Sequence, residues 1–144
     1  MKRILLLILC LFLPFGWVLW GQQPFASEKV FNGDFVDRDT MVETIISGKQ
    51  LAAYHLYSFH SVKFPASPEL AKEVADLVVA DSAKASEKET VFVGGQLTYA
   101  VLVFHSDPGD TEYICFQSDG SMITLVYMMG TATLDDLKTI FATK

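Results

Sequence analysis

Residues 91–129 of the chain read VFVGGQLTYAVLVFHSDPGDTEYICFQSDGSMITLVYMM. β-Branched and aromatic residues dominate four runs within this segment, and short turns separate the runs, which is the pattern of consecutive antiparallel strands. Gly94-Gly95 and Asp119-Gly120 supply the positive backbone angles that tight hairpin turns require. The segment therefore predicts four consecutive strands, against which the rest of the chain packs.

Two more strands are predicted on the N-terminal side of this segment. Residues 42–46 suit a short strand that ends at the turn Ser47-Gly48-Lys49. Residues 56–64 alternate in the manner of a strand rather than a helix. Both alternating sets contain large apolar side chains, so this strand is compatible with cover on both faces.

The clearest helix is predicted over residues 68–86, with Ser67 as its cap and Pro68 at its first position. Its apolar stripe consists of Leu70, Val74, Leu77 and Val78. Asp81 falls within that stripe. Two interpretations are open: a partly buried carboxylate that serves chemistry or a ligand, or a structural one that sits where the stripe leaves the sheet or accepts a hydrogen bond from a nearby group.

A second amphipathic helix is predicted over residues 134–141, capped by Thr133, with Leu134, Leu137, Ile140 and Phe141 on one side. The predicted fold class is therefore α+β, with an antiparallel sheet of four to six strands and the two helices mainly on one face. Residues 42–144 are predicted to form this single domain.

The N-terminus has the features of an export signal. Lys2 and Arg3 precede the apolar run ILLLILCLFL, and residues 1–21 are predicted to be a signal peptide cleaved near Gly21. The alternative is an uncleaved anchor formed by residues 4–20, which is close to the shortest apolar span of about 17 residues. Lipidation at Cys10 is disfavoured, because Leu9 precedes it and because it lies inside the apolar run.

Residues 22–41 are predicted to be a polar lead-in to the domain. Asp34, Asp37 and Asp39 invite a calcium interpretation, but the spacing lacks the glycine and closing glutamate of a helical calcium loop. A solvated turn is therefore favoured.

The charge of the chain argues against two classes of partner. The net charge is -6, and because residues 1–21 contain Lys2 and Arg3 and no acid, the remainder carries -8. Such a domain repels nucleic-acid phosphates and anionic lipid. Contact with a membrane is expected only if the N-terminal segment is retained. If Cys10 leaves with the signal, Cys115 remains alone and an intramolecular disulfide is impossible.

The histidines are the first candidates for chemistry. His55 and His60 are five residues apart, which places them on opposite faces of a strand. His60 and His105 can meet only if their strands pair, and that is the one metal site that the sequence suggests. We predict no cofactor and no metal, because a lone histidine is more often an ordinary polar residue.

The remaining motifs favour structural roles. Cys115 lies in mid-strand between apolar neighbours, which favours a buried thiol over a nucleophile; a disulfide between two copies is the alternative. No GxSxG or phosphate-binding loop is present. The strand aromatics are expected to form core beneath the helices, and an exposed row of them would instead indicate a binding platform.

Three segments carry a resemblance to a known group of proteins: ISGKQL (46–51), GGQLTYAVLVF (94–104) and YMMGTATLDDLKTIF (127–141). Together with the export signal, they resemble the small exported proteins of Bacteroidetes that are catalogued as domains of unknown function. The resemblance implies an exported α+β domain without an assigned activity, and it carries over no catalytic residue.

The functional expectation is a periplasmic or secreted, non-enzymatic domain that acts as a binding or accessory protein. We expect a protein or envelope partner to bind a sheet edge or the outer face of the sheet. The alternative is a small metal-dependent or acid/base hydrolase that uses His60, His105 and Asp81. Geometry separates the two, since an enzyme would bring these three side chains together around a cleft.

Overall fold

The computed structural model describes residues 25–105 and 110–142, with side chains described as far as residue 139. The predicted signal peptide, 1–21, lies outside the described residues. So do the side chains of Ile140 and Phe141, which the sequence assigns to the apolar side of the last helix.

Six strands and three helices make up the described chain. The strands are β1 (Val42–Ser47), β2 (Leu56–Pro65), β3 (Glu87–Val93), β4 (Gln96–Phe104), β5 (Thr111–Ser118) and β6 (Met122–Gly130). The helices are α1 (Glu28–Phe31), α2 (Pro68–Ser82) and α3 (Leu134–Ala142), and two 3₁₀ turns span Arg38–Thr40 and Lys49–Tyr54. The predicted α+β class is confirmed.

The strands form one antiparallel sheet in the order β1-β2-β6-β5-β4-β3. β3 to β6 are joined consecutively along the chain, as residues 91–129 predict. β6 then pairs with β2, so that Val62 lies opposite Leu125. β1 and β2, which precede α2 in the sequence, are thereby joined to the sheet through β6, the last strand.

The hairpin turns form where glycine predicts them. Gly94 and Gly95 join β3 to β4 with φ of 60° and 80°, and Gly120 adopts a φ of 97° between β5 and β6. A side chain at these angles would be strained, because its Cβ would approach the backbone carbonyl.

The end of α2 differs from the prediction. Ser67 caps the helix, as expected, by accepting a hydrogen bond from the Leu70 amide at 3.2 Å. The helix ends at Ser82 rather than at 86, and β3 begins at Glu87. The polar residues 87–90 pair with β4, where Glu87 lies opposite Val103, so strand pairing overrides their weak strand propensity.

Both faces of the sheet are covered, and the two longer helices lie on opposite faces. The first face carries α2, whose Ala71, Val74, Ala75 and Val78 share one core cluster with Ala100 and Leu102. On the second face, Leu137 of α3 shares the other cluster with Val101 and Val103. The expectation that both helices pack mainly on one face is therefore wrong. Successive residues of β4 are apolar, and each face needs its own cover.

The segment predicted to be a polar lead-in contributes to the core. Val30, Phe31, Val36 and Met41 are buried and belong to the cluster on the first face. The Phe25 ring contacts that of Phe104, with centroids 4.6 Å apart. The three acids of this segment, Asp34, Asp37 and Asp39, are exposed.

Candidate functional site

Asp81 is a buried carboxylate whose oxygens are occupied by donors from the N-terminal segment. It is 3% exposed. Its Oδ1 accepts a hydrogen bond from the Ala26 amide at 2.6 Å, and its Oδ2 accepts from the Ser27 amide at 3.0 Å and the Ser27 hydroxyl at 2.6 Å. These bonds match the structural interpretation in which Asp81 accepts hydrogen bonds, and they fasten the N-terminal segment to α2.

His60 lies on β2 and faces the edge strand β1. Its Nε2 is 2.5 Å from Oε2 of Glu43, and its ring packs beside that of Phe31 with centroids 4.8 Å apart. Arg38 reaches the other carboxylate oxygen of Glu43 at 3.5 Å. The result is a partly exposed chain of polar groups that links the N-terminal segment to the first two strands.

His105 follows β4 and has a separate set of partners. Its Nε2 is 2.8 Å from Oε2 of Glu87, and its Nδ1 is 3.3 Å from the Thr111 hydroxyl. The imidazole and both partners lie at the ends of three neighbouring strands. His55, the third histidine, is exposed and adopts a left-handed backbone with φ of 62°.

The candidate residues do not converge. His60 is on β2 and His105 follows β4, and β6 and β5 lie between these strands. Three strand spacings place β2 and β4 roughly 14 Å apart, so the two histidines are at least that far from each other, which is far beyond the reach of one metal ion. Asp81 is on α2, held by Ala26 and Ser27. Within residues 25–105 and 110–142, no three His, Cys, Asp or Glu side chains are placed to hold a metal ion.

Cys115 is a buried thiol, as its sequence position predicts. It is free, and it lies in the cluster on the second face. Burial raises the pKa of the thiol well above its usual range, which keeps it protonated and unreactive. A disulfide to a second copy would require the core to open.

Tyr127 and Glu112 form a polar pair that the sequence did not reveal. The Tyr127 hydroxyl donates a hydrogen bond to Oε2 of Glu112 on the neighbouring strand. Burial and then this hydrogen bond raise the pKa of Tyr127. The Phe25 ring lies 6.1 Å from the tyrosine ring, so the N-terminal segment packs beside the tyrosine of this pair. Cross-strand pairs of this kind depend on register, which local sequence does not specify.

The strand aromatics are mostly core. Tyr113 and Phe116 are fully buried, and Tyr113 donates its hydroxyl to the Ala132 carbonyl at 2.6 Å. A shallow depression of about 120 Å³ opens beside the β5–β6 turn and is lined by Lys63, Gln117, Asp119, Met122 and Thr124. It is smaller than the roughly 300 Å³ of the smallest typical ligand pockets.

The exposed apolar side chains concentrate on the outermost strands. On β1, Val42 and Ile45 are 67% and 69% exposed. On β3, Val91, Phe92 and Val93 are 46%, 53% and 64% exposed. These strands stand at the two ends of the sheet formed by the described residues. An edge strand, which is paired on one side only, can pair with another chain on its open side, and exposed apolar side chains favour that contact.

Within the described part of the chain, every helix falls short of the length and apolar character that spanning a membrane requires.

Comparison with known proteins identifies the family of the chain. No curated protein matches the sequence. The model of the family of unknown function DUF6108 matches residues 15–141, which is most of the chain, and the protein therefore belongs to that family.

Proposed function

We propose that this protein is an exported, non-enzymatic binding or accessory domain. Export is supported by the basic residues Lys2 and Arg3 ahead of the apolar run that ends before Gly21. In this proposal the processed protein is periplasmic or secreted, and it belongs among the exported proteins of Bacteroidetes that its sequence resembles. Retention of residues 4–20 as an anchor would leave the same domain at the membrane surface.

One observation carries the binding role: the polar candidates are paired separately, whereas the exposed apolar side chains lie on the edge strands. An enzyme of the alternative class would need His60, His105 and Asp81 around one cleft. A binding module needs a surface that offers unpaired backbone groups and apolar contact. The edges of this sheet have both.

The end of β3 is the surface that best fits a protein partner. Val91, Phe92 and Val93 are exposed in succession just before the Gly94-Gly95 turn. An extended segment of an envelope protein would pair with the open side of β3 through main-chain hydrogen bonds. Its side chains would then contact these apolar residues on alternate faces.

The test is site-specific photocrosslinking in the native cell. A benzophenone amino acid replaces Phe92 in one variant and Glu73, an exposed residue of α2, in the control. The proposal expects a discrete covalent adduct in the envelope fraction from position 92 and none from position 73. Equal labelling at both positions, or none at either, would contradict it. N-terminal sequencing of the same material determines whether cleavage occurs near Gly21.

The enzymatic alternative has its own test. If the protein is an enzyme that acts through His60 and His105, cells that carry the double substitution H60Q/H105Q should show the same defect as cells that lack the protein. The binding proposal expects cells with the double variant to behave like the wild type. It expects the substitution F92K to produce the defect instead.

A further inference from the structure

We propose that β1 pairs antiparallel with β1 of a second copy of the protein, so that the two sheets become continuous. This edge is the opposite end of the sheet from Phe92, and the inference does not rest on the function proposed above. It rests on the exposure of the β1 side chains, on the scarcity in β1 of residues that disfavour strand pairing, and on the residues that a two-fold arrangement places opposite each other.

β1 is a regular strand that is paired along one side only in the described chain. Its register with β2 is unbroken from Val42 opposite Lys63 to Ser47 opposite Ser58. Such a strand presents a straight row of backbone donors and acceptors at its other side. The geometry that a further strand would need is already present.

The side chains of β1 favour addition of a strand. Among the large apolar residues of the described chain, Val42 and Ile45 are the most exposed. The strand VETIIS has four β-branched residues, which have high strand propensity, and contains neither proline nor lysine. Its one charged residue, Glu43, forms a hydrogen bond with His60 on the neighbouring strand β2.

The other edge is less suited to a continuous ladder with a second copy of itself. β3 begins with Glu87, Lys88 and Glu89, and its register with β4 shifts between Val91 and Phe92. Charged residues and bulges disfavour a long ladder along an edge strand, so on β3 only the short apolar end, Val91–Val93, is left for a partner segment. β1 has no bulge against β2, so the two edges differ in the property that the proposal requires.

A second copy fits the β1 edge without conflict of charge or face. Directly opposite residues of an antiparallel pair point to the same face. With the two-fold axis at Ile45, Ile45 lies opposite Ile45 and Thr44 opposite Ile46. Each sheet then continues the same face of its partner, and Glu43 lies opposite Ser47 rather than opposite another acid.

The flanking charges also complement each other in this arrangement. Asp37 and Asp39 precede β1 and flank Arg38, which pairs with Glu43, and Lys49 follows β1; Asp37, Asp39 and Lys49 are exposed. Because the strands run in opposite directions, the acidic approach of one copy lies near Lys49 of the other. The net repulsion between two acidic domains is screened beyond about 8 Å at physiological ionic strength.

The experiment measures self-association of the protein purified from its native cell. A six-residue ladder is short, so we expect a weak dimer with a dissociation constant on the order of micromolar, observed by sedimentation velocity over a concentration series. The substitution I45K places two like charges opposite each other at the axis, and we expect it to weaken the dimer at least tenfold. The matched control V93K, on the β3 edge, should leave the dimer unchanged.

A second variant tests the register even if I45K alters the fold. In I45C the two thiols lie directly opposite each other, and mild oxidation should yield a covalent dimer, whereas V93C should not. A wild-type protein that is monomeric at every concentration, a dimer insensitive to I45K, or equal cross-linking of I45C and V93C would overturn the proposal.

Discussion

Asp81 and Ser27, 54 residues apart in the chain, are joined by two hydrogen bonds to one carboxylate oxygen, from the Ser27 amide at 3.0 Å and from its hydroxyl at 2.6 Å. Both residues are buried. A charged acceptor inside a protein is stable only when it is well paired. The carboxylate therefore makes residues 25–31 part of the domain, and it places the beginning of the described chain against α2.

Replacement of Asp81 by Ala should lower the free energy of unfolding by about 3 kcal/mol. The change removes the acceptor of the Ala26 amide, the Ser27 amide and the Ser27 hydroxyl, and a buried donor left without a partner costs about 1–3 kcal/mol. Chemical denaturation measures the loss. Hydrogen exchange should show that residues 25–31 lose protection more than the sheet does.

The control is Asp76→Ala on the same helix. Asp76 is exposed and pairs with Lys72 at 2.9 Å, and such surface pairs contribute less than about 1 kcal/mol. If the two substitutions destabilise the protein equally, Asp81 does not fasten the N-terminal segment.

Cys115 should make stability fall as pH rises above the ordinary thiol pKa of about 8.5. Burial raises the pKa of this thiol in the folded protein, so above that pH the unfolded chain releases a proton that the folded chain keeps. The free energy of unfolding should then decrease by up to about 1.4 kcal/mol per pH unit. Near pH ~7, well below the ordinary thiol pKa, the thiol is protonated in both states and contributes almost no slope.

Denaturation of wild type and Cys115→Ala between pH ~8 and ~9.5 isolates the effect of the thiol, because the tyrosines, with an ordinary pKa of about 10, are present in both proteins. The variant should be less stable at pH ~8, because it leaves a small cavity, and its stability should vary less with pH. A thiol reagent should modify wild-type Cys115 only in denaturant. Rapid modification of the native protein would show that the strand is open to solvent.

Asp119 should stabilise the β5–β6 turn above its ordinary pKa of 3.8. Hydrogen bonds from the Met122 and Ser121 amides, at 2.8 Å and 3.0 Å, lower the pKa of this carboxyl. The stabilisation is therefore present above the unfolded value and is lost as pH falls through the lowered folded value. Asp119→Asn should be less stable than wild type at pH ~6, and the difference should shrink on acidification. A difference that is constant with pH would contradict this account.

The reach of the sequence can be judged from particular residues. Gly94, Gly95 and Gly120 adopt the positive angles that their turns predict, because those requirements are local. The sequence also shows that Asp81 is a polar residue within the apolar stripe of its helix. It does not show that Ser27 is the partner of Asp81, because no local pattern around Ser27 marks it as a donor to a distant helix. The separation of His60 from His105 follows from the strand order, which depends on long-range pairing.

The error about the helices has a similar cause. Val101 and Val103 are as apolar as Ala100 and Leu102, so the strand shows no polar face from which to assign the helices. A strand buried on both faces requires cover on both. Only the tertiary structure shows that α3 covers one face and α2 the other.

Among the glycines that the structure describes, Gly130 is the one where an added methyl group would meet the closest backbone atoms. A β-carbon at position 130 would lie 2.6 Å from Cα of Leu56 and closer still to the His55 carbonyl oxygen. Both are backbone atoms, and that carbonyl already accepts a hydrogen bond from the Thr131 amide at 2.8 Å. Relief of the clash therefore requires β2 to move away from β6 at the point where their register shifts.

We expect Gly130→Ala to lower the free energy of unfolding by about 1–3 kcal/mol in chemical denaturation. Thr131→Ala, which keeps the amide bond and lies in an exposed position, should change it by less than about 0.5 kcal/mol. Equal stability of the two variants would mean that the backbones of residues 55 and 130 are not in close contact in solution.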